Sequence, residues 1–170
     1  MRKFKLFMMS LLICTTILAL KPANTQAATK NTMIPDMGTY EYNTNTKTAT
    51  LKRPMVDENG YVYVPWGICI QNKSYKVTKI DKNAFKKDAK KIKHVEIDGF
   101  IKSVDANTFN LPKAKSIVFV HATNTTFKKN AFKKLNKKCT FDVNCTQMKK
   151  NIRKYNKNIK SKQISVGVVY

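Results

Sequence analysis

Glycine is scarce in this chain. Its five glycines stand singly among 170 residues, so no Gly-rich loop is available to cradle a phosphate or a dinucleotide. Histidine is scarcer, with only His94 and His121. A Ser-His-Asp or Cys-His arrangement needs a nucleophile, a base and an orienting group. Neither histidine lies in a phrase that carries such chemistry. His94, between Ile92 and Val95, is expected to point out from a strand, and His121 follows an apolar strand as a surface residue. Ten acids stand against 33 lysines and arginines, and no two carboxylates form a recognisable motif. No pair of cysteines or histidines has metal-ligand spacing. These absences point away from an enzyme, a metal site or a cofactor, and no residue is assigned a catalytic role.

Long apolar runs are also missing after residue 20. The N-terminus opens with Met1-Arg2-Lys3-Phe4-Lys5. An apolar stretch from Leu6 to Leu20 follows, then Lys21-Pro22, then the small residues of Thr25-Gln26-Ala27. The apolar run is shorter than the ~20 residues needed to span a bilayer, so residues 1–27 read as a secretory signal peptide cleaved after Ala27. Cys14 does not suit a lipoprotein site, because the bulky Ile13 precedes it and it lies inside the apolar run. No later segment is long and apolar enough to span or anchor. Removal of residues 1–27 takes away Arg2, Lys3, Lys5 and Lys21 and no acid, which lowers the formal charge from +23 to +19. Three cysteines then remain: Cys69, Cys139 and Cys145. An odd number allows at most one pair, and Cys69 and Cys139 read as small apolar core residues.

Present in strength is one phrase written three times. Ile80-Asp81-Lys82-Asn83-Ala84-Phe85 returns as Val104-Asp105-Ala106-Asn107-Thr108-Phe109 and again as Phe127-Lys128-Lys129-Asn130-Ala131-Phe132. Regular self-similarity at 23–24 residues marks a stacked solenoid, in which each unit buries its apolar edge against its neighbours. Each copy has a second half: Ile92-x-x-Val95-x-Ile97, then Ala114-x-x-Ile117-x-Phe119, then Cys139-x-Phe141-x-Val143. Alternation at period two predicts a short strand with one buried face. The Asn-x-Phe phrase belongs to the opposite arm, where the chain turns. Asparagine suits a turn because its side chain bonds to backbone and tolerates unusual dihedrals.

With Tyr75-Lys-Val-Thr-Lys-Ile-Asp-Lys-Asn-Ala-Phe85 followed by Val95-x-Ile97, the chain resembles the leucine-rich repeats of BspA-like bacterial surface proteins, over roughly Tyr40 to Ile159. The resemblance implies a mainly β (α/β) leucine-rich-repeat solenoid, secreted or surface-attached, non-catalytic and engaged in adhesion or interaction with host or matrix molecules.

Four zones follow. Residues 1–27 are the signal peptide. Residues 28–79 are a loose leader, 28–38, and a β-rich N-terminal cap with strands at Thr39–Tyr42, Thr48–Leu51, Tyr61–Val64, Ile68–Ile70 and Tyr75–Val77. The turns fall at 43–47, at Asp57-Glu58-Asn59-Gly60 and at Asn72-Lys73-Ser74. Residues 80–144 hold the three repeats. Residues 145–170 form a C-terminal cap. In it Met148, Ile152, Tyr155 and Ile159 make one helical stripe, and Ile164–Tyr170 alternates as a final strand.

Two surfaces are candidates for binding. The residues between the inward positions fall on one open sheet face: His94, Glu96 and Asp98; Ser116, Val118 and Val120; Thr140, Asp142 and Asn144. Stacked strands would align Glu96, Val118 and Asp142 in one row, and His94, Glu96, Asp98, Ser116, Val118, Thr140 and Asp142 are the candidate ligand residues for an extracellular protein or glycan. A register slip of one residue in the second repeat would instead turn Val118 and Val120 inward. Basic charge collects elsewhere. Between Lys137 and Lys162 there are nine lysines or arginines and one acid, Asp142. Such a surface attracts polyanions such as wall teichoic acids, and Lys149, Lys150, Arg153 and Lys154 are its candidate residues. Specific nucleic-acid reading is not expected, since its module motifs and interleaved aromatics are absent. The second reading is therefore a basic, envelope-associated structural protein retained on anionic polymers.

Overall fold

A computed structural model describes residues 28–122 and 124–167. The expected signal peptide and the last residues of the expected final strand lie outside these. Twelve strands and one α-helix follow in chain order: β1 (Thr29–Ile34), β2 (Gly38–Asn43), β3 (Thr48–Pro54), β4 (Tyr61–Val64), β5 (Gly67–Ile70), β6 (Lys73–Ile80), β7 (His94–Ile97), β8 (Ser103–Val104), β9 (Ser116–Phe119), β10 (Thr126–Phe127), β11 (Thr140–Val143), α1 (Thr146–Tyr155) and β12 (Ile164–Val166).

They form two sheets. The first is wholly parallel in the order β12-β11-β9-β7-β4. Its central strands are the period-two halves of the repeats, and their registers agree: Val95 lies beside Ile117 and Ile117 beside Phe141. Val95, Ile97, Ile117, Phe119, Phe141 and Val143 are all buried, as the alternation predicts. The second sheet begins as the antiparallel meander β1-β2-β3. It continues through β6, β8 and β10, which run parallel to one another, with β5 hairpinned onto β6. Successive copies of the phrase thus pair on both arms. Turn bonds a repeat apart join them: Thr125 Oγ1 donates to the Ile101 carbonyl at 2.6 Å, and the Lys134 N–H donates to Asn110 Oδ1 at 3.2 Å.

The phenylalanine of each phrase explains why it recurs. Phe85, Phe109 and Phe132 are buried and stack in a column, with centroids 5.3 and 5.0 Å apart. Phe119, Phe127 and Phe141 pack edge-on or tilted against it. Rings this close contribute beyond their buried area. The asparagine before each phenylalanine solves the turn in two ways. Asn107 and Asn130 stand at φ 63° and 65°, left-handed backbone that asparagine adopts more readily than most residues. Asn83 does not. Its N–H donates to Asp81 Oδ1 at 2.8 Å in a tight turn. The Asn107 N–H reaches the Asn130 carbonyl and the Phe109 N–H reaches the Ala131 carbonyl, so neighbouring turns are bonded directly.

Several expectations are revised. The stretch 28–38 is not a loose leader, since Thr29–Ile34 forms edge strand β1 on β2. Its side chains are mostly exposed and polar, so it carries no alternation to read. Tyr61–Val64 does more than cap, because β4 pairs with β7 and is itself a member of the parallel sheet. Gly60 permits this entry. It sits at φ 82°, where an added Cβ would lie 2.4 Å from the Lys91 carbonyl oxygen. The β5–β6 turn lies at Gln71-Asn72, both in left-handed backbone. The C-terminal helix ends at Tyr155. Met148 and Ile152 are its buried residues, Tyr155 is exposed, and Ile159 reaches the core from the following loop. Asn156 replaces the expected last turn: buried, it donates to the Ile152 carbonyl at 3.1 Å. Cys139 is buried, and desolvation pushes its thiol up to about 12. Cys69 is exposed, because it faces away from the core on the outlying hairpin β5–β6. Val120, placed beyond the end of β9, is buried rather than on the open face.

Candidate interaction surface

The outward positions of the parallel sheet form two rows. In the first, Tyr61, His94, Ser116 and Thr140 are successive neighbours. In the second are Tyr63, Glu96, Val118, Asp142 and Ser165. Neither row contains a lysine or arginine, in a chain with 33 of them. All seven sheet-face candidates lie on this side, and none is buried. The row Glu96–Val118–Asp142 has the predicted alignment, and the one-residue slip does not occur. Asp98 follows β7 at the rim.

Side chains bind the face into a network. His94 Nδ1 and Ser116 Oγ are 2.9 Å apart. Tyr61 donates its hydroxyl to Glu96 Oε2 at 2.5 Å, and Tyr63 donates to Asp98 Oδ2 at 3.1 Å. Both tyrosines reach diagonally, since the residue beside Tyr61 is His94 and that beside Tyr63 is Glu96. Desolvation first, then the carboxylate each one meets, raises both phenols above their ordinary pKa, so they stay protonated donors at neutral pH. On its other oxygen Asp98 meets His121 Nδ1 at 2.7 Å.

Beyond Asp98 the face ends in an aromatic corner. Trp66 and Phe100, each about half exposed, meet at 72° with centroids 6.3 Å apart. Gly99 stands between them at φ 72°, and an added Cβ there would come within 3.2 Å of Trp66 Cβ. Trp66, Asp98, Gly99, Phe100 and His121 line an open hollow of about 550 Å³. Half-exposed tryptophan and phenylalanine side by side are unusual on a soluble surface and commonly mark a contact site.

Tyr61, Tyr63, Trp66, Phe100 and His121 were not among the sequence candidates. Tyr61 and Tyr63 carried a usable signal: Tyr-Val-Tyr-Val alternates like the repeat strands. It was obscured by the step of 33 from Tyr61 to His94, longer than the repeat. Trp66 and Phe100 carried none, because only the pairing of β4 with β7 brings them together.

The four basic candidates lie on α1. Lys150, Arg153 and Lys154 are exposed. Lys149 is partly committed to the fold, since its ammonium donates to the Ile164 carbonyl at 2.9 Å and ties β12 to the helix. Lys154 lies over the neighbouring Tyr155 ring, 5.1 Å from its centroid. Among the described residues no cluster of His, Cys, Asp or Glu has the makings of a metal site, and no helix is long and apolar enough to cross a membrane.

No protein-family model matches the chain. No curated protein sequence matches it either. Among solved structures, the chain is similar to a leucine-rich cell surface protein of Faecalibacterium prausnitzii A2-165, with a TM-score of 0.53 and 17% identity. The match covers 66% of this chain and 30% of that one. At that identity the likeness speaks for the fold: a mainly β architecture shared with part of a leucine-rich surface protein.

Proposed function

We propose that this chain is a short leucine-rich-repeat solenoid, BspA-like, that is secreted and acts at or near the cell surface as a non-catalytic interaction module. It engages an extracellular protein or glycan through the open face of the parallel sheet. The observation that carries this reading is the face itself: two rows free of lysine and arginine, three carboxylates, and a half-exposed Trp66–Phe100 corner, on a chain of strongly basic charge. Aromatic rings offer large contact area at low entropic cost, and hydrogen-bonding groups beside them supply direction. The shared architecture with part of a leucine-rich surface protein supports the surface assignment, as does the leader-like N-terminus.

The non-catalytic reading has its own support. His94 and Ser116 form a base–hydroxyl pair, but among the described residues no carboxylate orients His94. His121 has its carboxylate, Asp98, and among the described residues no nucleophile bonded to it.

An array of glycans and extracellular matrix proteins, probed with residues 28–170 at low and physiological salt, tests the reading. Binding to a few members that survives salt, and that is lost in both the Glu96→Gln/Val118→Ala/Asp142→Asn and the Trp66→Ala variants, is expected. Binding that survives both variants would place the ligand elsewhere and overturn it. A second reading, retention on anionic polymers, is favoured by a separate observation: the lysine-lined grooves on the turn side of the molecule.

A further inference from the structure

Two grooves run along the turns, the second reaching Thr140 at the edge of the sheet face, and they meet at Lys133. The first, about 400 Å³, is bordered by Lys82, Lys86, Lys133 and Lys134 together with asparagines. The second, about 780 Å³, lies between the turn at Lys137–Lys138 and the segment Asn158–Gln163. No carboxylate lines either groove. Among the described residues these lysines make no ion pair. The acids of this side are engaged elsewhere: Asp81 with Lys52, Asp88 with Arg53, Asp105 with Lys128.

We infer that these joined grooves are one binding track for a linear polyanion without bases, a phosphodiester or sulfated polymer whose anionic oxygens recur along the chain. The inference rests on the retention reading and gives it a site. Its lysines are distinct from the helix residues Lys149, Lys150, Arg153 and Lys154, of which Lys149 is bonded to the Ile164 carbonyl and Lys154 lines a separate hollow beside Tyr155.

Three features favour this occupant. The track crosses four stacked levels of the chain, from the turn at Lys82 to the loop at Lys160. At strand spacing of about 4.8 Å that is roughly 15 Å, long enough to meet several charges of an extended polymer. Phe85 is the one aromatic residue lining the track, and it is buried, so nucleobases find no ring to stack on. The second groove is also held in shape. Gln163 donates through Nε2 to the carbonyls of Lys137 (3.2 Å) and Cys139 (2.9 Å), and its Oε1 accepts the Lys160 N–H at 2.9 Å. One amide thus fastens the two lysine-bearing walls to each other. Lysines held apart by backbone geometry pay less ordering entropy on binding than freely moving ones.

The test measures binding of residues 28–170 to fluorescent poly(glycerol phosphate) and to a fluorescent heparin oligosaccharide by anisotropy, at 50 and 200 mM NaCl. A groove variant carries Lys133→Gln, Lys137→Gln, Lys138→Gln and Lys160→Gln. A control with the same charge change carries Lys30→Gln, Lys47→Gln, Lys73→Gln and Lys113→Gln. The groove variant is expected to lose about tenfold or more in affinity at low salt and to flatten the salt dependence, against less than about threefold for the control. Gln163→Leu, which changes no charge, is expected to weaken binding about threefold by releasing one wall. The polymer whose binding depends on the groove lysines identifies the anion. Equal losses in the groove and control variants would overturn the track and leave general charge retention standing. No binding to either polymer at 50 mM would overturn both. All eight lysines are exposed, and matching circular dichroism would show that the variants fold.

Discussion

The row Glu96–Val118–Asp142 and the turns at Asn107 and Asn130 come from the same repeats, yet they face opposite ways and carry opposite chemistry. On the sheet side, alternation sends every second residue outward, and those residues are acids, tyrosines, small polar groups, His94 and Val118. On the turn side, the first and third phrases are followed by lysine pairs, and Asp81, Asp88 and Asp105 are paired with lysine or arginine. The difference teaches how a thin repeat makes two surfaces. The sheet side is regular because backbone pairing sets its spacing, so whatever binds there meets ordered rows. The turn side is shaped by individual solutions, asparagines in left-handed backbone and a buried ring beneath each turn.

The largest expected effect breaks both sides at once. Phe109 sits between Phe85 and Phe132 in the buried column, so Phe109→Ala removes the ring on which neighbouring copies stack. It should cost about 3–5 kcal/mol, read as a fall in the urea midpoint. A cost below about 1 kcal/mol would mean the column does not hold the copies together.

A smaller effect separates the turns from each other. Asn130→Ala forces a Cβ-bearing residue without a compensating amide into φ 65°, and should cost about 1 kcal/mol, with Asn130→Gly recovering most of it. Asn83→Gly should show no such advantage over Asn83→Ala, because Asn83 is not in left-handed backbone. Urea titrations of the four variants decide this.

Acid sharpens the comparison further. The Lys52 ammonium, and after it the Asn83 N–H, hold the Asp81 carboxyl below its ordinary range, and Lys128 does the same for Asp105. Both folded pKa values are depressed. Their stabilisation is therefore complete above the unfolded value, about 3.9, and is lost as pH falls through the lower folded values. Stability followed by urea unfolding from pH 6 to pH 2.5 should drop over that window. Asp81→Asn with Asp105→Asn should flatten the drop.

The smallest effect is on the aromatic corner. Trp66 is half exposed, so Trp66→Ala should move the unfolding free energy by about 0.5 kcal/mol or less, while array binding is lost. A large loss of stability would make the corner a structural contact instead of a site.

Much of this fold was legible because it is written locally. Three phrases in phase announced the stacked strands, and period two named Val95, Ile117 and Phe141 as core and Glu96, Val118 and Asp142 as one row. The seven sheet candidates share a face for that reason. Other features had no local signature. Thr29–Ile34 is polar and becomes a strand because β2 offers an open edge. Cys69 looked like core filler and is exposed because its hairpin lies outside the stacked body. The helical stripe ran on to Ile159, but Asn156 finds better partners at the Ile152 carbonyl and the Phe132 N–H and stops the helix.

The sequence by itself determined the repeat, the buried ring of each turn, the direction of each strand residue and the large positive charge. These depend on neighbours a few residues away or on composition. Only the tertiary structure decided that Tyr61–Val64 joins the sheet across 33 residues, that Trp66 meets Phe100 and His121 around Asp98, and that lysines from three of four stacked levels border one track. Such contacts form when distant segments close on each other. The closure is set by the packing of the whole stack, so no local pattern records it.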